Sequence, residues 1–176
     1  MAAENSALSG FPQLHATADY IAKLQRPNGA IPWFDGGITD PWDHIEALMG
    51  LTVHGHWSGA VAGLQWLAER QRSDGAWYAA YNDQGVADDS RAETNFVAYV
   101  ATGLWHYFLI TGQRDVLQKF WPMVDRAMAF VLRQQADGGQ IYWAVDTHQG
   151  ANKDALITGC SSIYKSLECA LNIATE

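Results

Sequence analysis

The sequence predicts an all-α fold, three antiparallel α-hairpins set side by side. Three observations carry this expectation. Apolar residues recur at helical spacing in six stretches. The joints between those stretches alternate short and long, as in an up-and-down array. One phrase also closes every odd-numbered stretch: an aromatic–aliphatic pair, three residues, Gln, three residues, Gly, then Trp. Trp66-Leu67, Gln71, Gly75 and Trp77 form one copy. Tyr20-Ile21, Gln25, Gly29 and Trp33 form another, and Phe130-Val131, Gln135, Gly139 and Trp143 the third.

The six helices are expected at about 10–25, 41–54, 58–71, 91–110, 114–135 and 153–174, in a single domain. Ser9-Gly10-Phe11-Pro12 reads as a capped start with proline in the first turn. A loop rich in Gly and Pro, from Arg26 to Thr39, follows the first helix. Asp40 then caps the second, with Pro41 at its first position and Asp43 near its positive end. His54-Gly55-His56 is a tight turn into the third helix, and a second long loop runs from Ser73 to about Asp89. Ser90-Arg91-Ala92-Glu93 has the form of a capping box and should open the fourth helix. Thr111-Gly112 turns the chain back into the fifth, where Pro122 should kink or break the helix. The third long loop spans Ala136 to about Asn152. All three long loops should therefore share one rim with the N-termini of the even helices, which are the more apolar and should form an inner layer. Rims of this kind are where binding residues gather.

Composition narrows the function. At 176 residues with 48% apolar and 17% charged side chains, the chain can bury a core. A formal charge of −8 disfavours nucleic acid or an anionic membrane as partner. No apolar run approaches the roughly 20 residues of a membrane span. The N-terminus lacks the pattern of a secretory signal, and Cys160 and Cys169 fall on nearly opposite helix faces, so a reducing cytoplasm is the expected setting. Eight Trp and seven Tyr exceed what a core of this size needs, which points to aromatic contact surface.

The repeated phrase resembles the QW motif of terpene cyclases and protein prenyltransferases, which build toroids of α-hairpins. A longer stretch, from about Ile31 to Ala174, resembles six-hairpin glycosidases of the glucoamylase type. Its pieces are Asp40-Pro-Trp-Asp43, Gln71-Arg-Ser-Asp-Gly-Ala-Trp77, Trp105-His-Tyr-Phe-Leu-Ile-Thr-Gly112 and Phe120-Trp-Pro122. Both resemblances imply half of an α/α toroid, either a fragment, a small relative, or a half completed by a second copy. An open half-ring would expose apolar inner surface, so a homodimer is one expected partner state.

The glycosidase resemblance implies a glycan substrate and places Asp43 as a substrate-contacting or catalytic carboxylate, although the Arg that normally precedes it is Trp42 here. It places the general acid in the loop before the sixth helix. In that loop Asp146 and His148 are the available proton-transfer groups, with Asp35, Asp43 or Glu93 as the source of a second carboxyl. Around them, Trp33, Asp35, Asp40, Trp42, His44, Trp77, Tyr81, Glu93, Asn95, Trp143 and His148 are the candidate substrate contacts. Flat aromatics on the rim could stack on sugar faces or offer π surface to a carbocation. The competing readings are structural: Asp40 and Asp43 as helix caps, Asp146 as a solvated loop residue, and Gln25, Gln71, Gln135 and Trp77 as ties between hairpins. The second resemblance implies an isoprenoid in an apolar inner cavity, and a non-catalytic repeat module is the third reading. Neither cysteine has His or Asp at ligand spacing, and His54-x-His56 falls in a short turn at the opposite end, so no metal or cofactor is expected.

Overall fold

The computed structural model describes residues 12–176, so the expected cap at Ser9 to Phe11 lies outside the described residues. Six α-helices follow in order: α1 (Pro12–Leu24), α2 (Pro41–Val53), α3 (Trp57–Arg70), α4 (Thr94–Thr111), α5 (Arg114–Leu132) and α6 (Ile157–Thr175). They pair as three hairpins. The even helices form the inner layer, with α4 packed between α2 and α6, while α3 and α5 lie outside them. Helix α4 is the most enclosed element, and Val97, Ala98, Val100, Ala101 and Leu104 are without exposed surface. Burying such an apolar run is the main favourable contribution to folding, at about 25 cal/mol per Å² of apolar area removed from water.

Local signals set most boundaries. Asp40 caps α2, its Oδ1 accepting the Asp43 N–H at 2.9 Å, with Pro41 at the first helical position. Gly112 ends α4 in the left-handed region, at φ 67°. Helix α5 runs on through Pro122 rather than breaking, because Pro122 faces solvent and water can reach the carbonyl its ring leaves without a donor.

Two boundaries depart from the sequence reading for one reason. Ser90 to Glu93 does not open α4. Arg91–Glu93 is instead a strand, β1, paired antiparallel with β2 (Ala144–Asp146), which pairs in turn with β3 (Gly150–Asn152). The register sets Arg91 opposite Asp146 and Glu93 opposite Ala144. Helix α4 therefore starts at Thr94, whose Oγ1 donates to the Tyr142 and Trp143 carbonyls, and α6 starts only at Ile157. Backbone groups that a helix turn would have used are taken by a strand from another loop.

That small sheet laces the rim. The second long loop is bound to the third through β1–β2, and to the first through a bridge between Thr39 and Tyr81. The three long loops thus lie together at the N-terminal ends of α2, α4 and α6.

Candidate functional site

The start of α2 presents two neighbouring carboxyls. Asp40 is buried (4% exposed), and its Oδ2 accepts the indole N–H of Trp33, which reaches it from the first long loop. Asp43, one turn further on, opens to solvent. Partial burial pushes its pKa up to about 6, helped by the charge of Asp40, a hydrogen bond shared with that carboxylate, and the charge of Glu46. The Trp33 N–H opposes the rise. Below about pH 6 the pair holds one proton, because two neighbouring carboxylates resist ionising together.

Opposite stands the start of α4. Glu93 is its N-cap residue, but its side chain accepts no capping bond. The carboxyl is directed into a cavity of about 290 Å³ lined also by Trp33, Asp40, Trp42, Asp43 and Arg91. Burial raises the Glu93 pKa, and the Arg91 guanidinium, 3.2 Å away, works against the rise. Arg91 also pairs with Asp89 at 3.1 Å and lies over the Trp143 ring, 5.2 Å from its centroid. Trp42 forms the opposite wall: it stacks face to face on Tyr99, with centroids 3.9 Å apart and planes 7° apart, and donates its N–H to Glu46.

This cavity has a neighbour on each side. One of about 270 Å³ shares Trp33 and Asp43 with it and is otherwise walled by Tyr20, Ile21, Leu24 and Pro32 among others. Another of about 350 Å³ shares Arg91 and runs past Trp143, Asp146, Gln149 and Asn152. The three form a trough along the rim, with Asp43 and Glu93 near its middle.

Several sequence candidates take other places. Asp146 is held as an anchor of the rim loops. Its carboxylate accepts Ser90 Oγ–H at 2.6 Å and the backbone N–H groups of His148 and Gln149 at 2.7 and 2.9 Å. These bonds, Ser90 first, hold its pKa below the usual carboxylate range, so it carries no proton to donate near neutrality. His148 is exposed beside it. His44 is enclosed, with Nδ1 accepting from Ile31 N–H and Nε2 facing the Gly63 carbonyl, each at 3.1 Å. Burial drives its pKa down to about 4 and keeps the ring neutral, as the Nε2–H tautomer. Trp77 is buried with its N–H on the Leu67 carbonyl, and Tyr81 is buried with its hydroxyl accepting from Tyr78 N–H. These three side chains fix loops to helices and offer no surface to a ligand. Asp35 is exposed but does not line the central cavity. The Asn95 amide oxygen is buried without a partner among the described residues. Arg91, conversely, escaped the sequence reading. Its only signal was a lone cation in an acidic loop, and its place depends on the β1–β2 register.

Known proteins resemble this chain to different extents. No family profile matches the chain. Over 162 residues it is 48% identical to MMP endo-(1,4)-3-O-methyl-alpha-D-mannosidase of Mycolicibacterium hassiacum. The chain is similar to a glycosidase. That match takes in 92% of the chain but 45% of the relative, so the chain spans about half the length of the curated relative it matches. Among solved structures, an unsaturated glucuronyl hydrolase specific for heparin superposes with a TM-score of 0.72 at 15% identity, over 97% of this chain and 51% of that one. A D-mannose isomerase gives a TM-score of 0.69 at 13% identity, over 98% and 47%. At such identities the likeness is one of fold: the three hairpins have α/α-toroid architecture.

Proposed function

We propose that the protein is a carbohydrate-active enzyme of the glycoside hydrolase type, with the rim trough as its glycan site. The observation that carries this reading is the pairing of a protonatable carboxyl, Asp43, with a second carboxyl, Glu93, in one cavity at the N-termini of two inner helices. Glycoside hydrolysis needs two such groups. Asp43, protonated up to about pH 6, donates its proton to the glycosidic oxygen as the bond from that oxygen to the anomeric carbon breaks. Glu93 either takes a proton from the water that attacks the anomeric carbon, or attacks that carbon itself to form an ester that water then hydrolyses, with Arg91 stabilising its charge. Trp33, Trp42 and Trp143 supply flat surfaces for sugar rings.

Identity to an endo-acting mannosidase favours an internal cut in an α-(1,4)-linked, 3-O-methylated mannan over the terminal cut of a glucoamylase. The trough supports the same reading, because a cavity on each side of the carboxyl pair accommodates sugar units on both sides of the cut bond. Five ionisable side chains around the central cavity (Asp40, Asp43, Asp89, Arg91, Glu93) suit hydroxyl groups, and an isoprenoid chain there would take water from them without replacing its hydrogen bonds.

The test is digestion of a (1,4)-linked 3-O-methyl-α-mannose oligosaccharide by the intact chain, with products separated by size. Asp43→Asn and Glu93→Gln should each slow cleavage by about 10²- to 10⁴-fold. The wild-type rate should decline above about pH 6 as Asp43 loses its proton. Wild-type rates in both variants would remove these residues from the mechanism.

A further inference from the structure

The three Gln–Gly turns share one backbone form. Gln25, Gln71 and Gln135 each donate from Nε2 to the carbonyl of the glycine four residues on, at 2.9, 2.9 and 3.0 Å, and those glycines have φ 93°, 95° and 92°. In every copy the residue three before the glycine clasps the turn. Its carbonyl accepts the glycine N–H, and its own N–H donates to the carbonyl just past the glycine. Positions counted from the glycines are therefore structurally equivalent. Two residues past them stand Ile31, Trp77 and Ile141, all buried. Four residues past them, at a bend in each case, stand Trp33, Ala79 and Trp143.

The two tryptophans of this set face the trough. Trp33 stands between the central cavity and its apolar neighbour, and Trp143 lines the polar one. Ala79 lines the central cavity, so the space that holds Asp43 and Glu93 lies at the one turn whose indole is replaced by a methyl group. Two backbone ties fix where that methyl group stands. Ala79 N–H donates to the Arg91 carbonyl at 2.7 Å, and the Thr39–Tyr81 bridge sets Ala80 alongside Asp40. The Ala79-Ala80 step thus crosses the cavity wall from the β1 side to the α2 side. Ionisable groups stand at its two ends, Arg91 and Glu93 at one and Asp40 and Asp43 at the other. A sugar seated there finds partners for its hydroxyls at both ends, but a substituent turned to the alanines meets methyl groups. A hydroxyl in that place gives up water without replacement, whereas a methyl ether buries its methyl group against apolar surface.

We propose that Ala79 and Ala80 form a notch that takes the 3-O-methyl group of the sugar at the cut bond, and that Ala79 is the residue that selects methylated over unmethylated mannan. This assignment rests on the glycan reading of the rim given above. It follows from a position at which the repeat departs from itself: an indole in the first and third turns, and room for a substituent in the second.

Titration calorimetry on the intact chain tests it. The ligands are two (1,4)-linked α-mannose oligosaccharides, one 3-O-methylated and one not, with sulfur in place of the glycosidic oxygens so that they resist cutting. The unmodified chain should prefer the methylated ligand by about tenfold or more. Ala79→Ser supplies a hydroxyl partner at nearly unchanged volume, so it should tighten the unmethylated ligand and cut the preference to about threefold or less. Ala79→Val takes up the room instead. It should weaken the methylated ligand by about tenfold and move the unmethylated one by less than about threefold. Circular dichroism checks that both variants keep their helices, and the serine variant, the smaller change, decides alone if the valine variant does not fold. Equal binding of the two ligands by the unmodified chain would overturn the notch and leave the glycan reading standing, as would a preference that neither variant moves. Binding of neither ligand would overturn the glycan reading itself, and the notch with it.

Discussion

At the scale of single residues, Asp43 and His44 are neighbours in sequence with opposite fates. One opens to the trough and holds its proton up to about pH 6; the other is buried and refuses a proton down to about pH 4. Their effects on stability have opposite signs. The unfolded chain protonates His44 near its ordinary pKa of 6.5, which the folded ring resists, so stability falls as pH drops from 6.5 through about 4. That loss is on the order of 3 kcal/mol across the window. The folded state binds the Asp43 proton more tightly than the unfolded chain, so its contribution is greatest below 3.8 and is lost as pH rises through about 6. Between about pH 4 and 6 the two trends partly offset each other. Asp43→Asn should therefore unmask His44, and its urea midpoint should drop between pH 6.5 and 4 more steeply than that of the wild type. Trp33→Phe tests the clasp on the pair. Without the indole N–H that holds the Asp43 pKa down, NMR titration of its carboxyl should give a higher value than in the wild type. An unchanged or lower value would exclude Trp33 from setting that proton's affinity.

At the scale of elements, the turn glycines separate local strain from docking. Gly75 has φ 95° and a Cβ there would lie 2.2 Å from the Arg126 carbonyl oxygen; Gly139 has nearly the same φ and open space. Alanine at either position meets a left-handed conformation costing about 1–2 kcal/mol. At Gly75 it must also displace a helix. Urea denaturation should show Gly75→Ala losing clearly more stability than Gly139→Ala; equal losses would mean that the docking contact is slack. The helices themselves were legible because each has its own apolar period and its own punctuation, such as Asp40-Pro41 and Gly112. The strands were not. Arg91–Glu93, Ala144–Asp146 and Gly150–Asn152 have three residues each, too few for alternation to show, and the first lies inside a sequence that also fits a capping box. A capping preference of about 1 kcal/mol is local, and it yielded to several cross-loop hydrogen bonds.

At the scale of the whole molecule, three hairpins make a curved half-ring whose long loops converge on one rim. No helix among the described residues is long and apolar enough to cross a membrane. The sequence by itself determined the helix order, the inner and outer layers and the shared rim, because periodicity and alternating joint lengths are written in neighbouring residues. It also brought Asp43, Glu93, Trp33 and Trp42 to that rim. Only the tertiary structure decided which rim groups are open and which proton each can hold. Burial turned His44, Trp77 and Tyr81 into supports, and three donors from the rim loops left Asp146 ionised. The extended form of β1 set Arg91 and Glu93 on one face, and its pairing with β2 brought Trp143 beside Arg91. Exposure, charge proximity and hydrogen-bond supply depend on residues distant in sequence, and no local pattern encodes them.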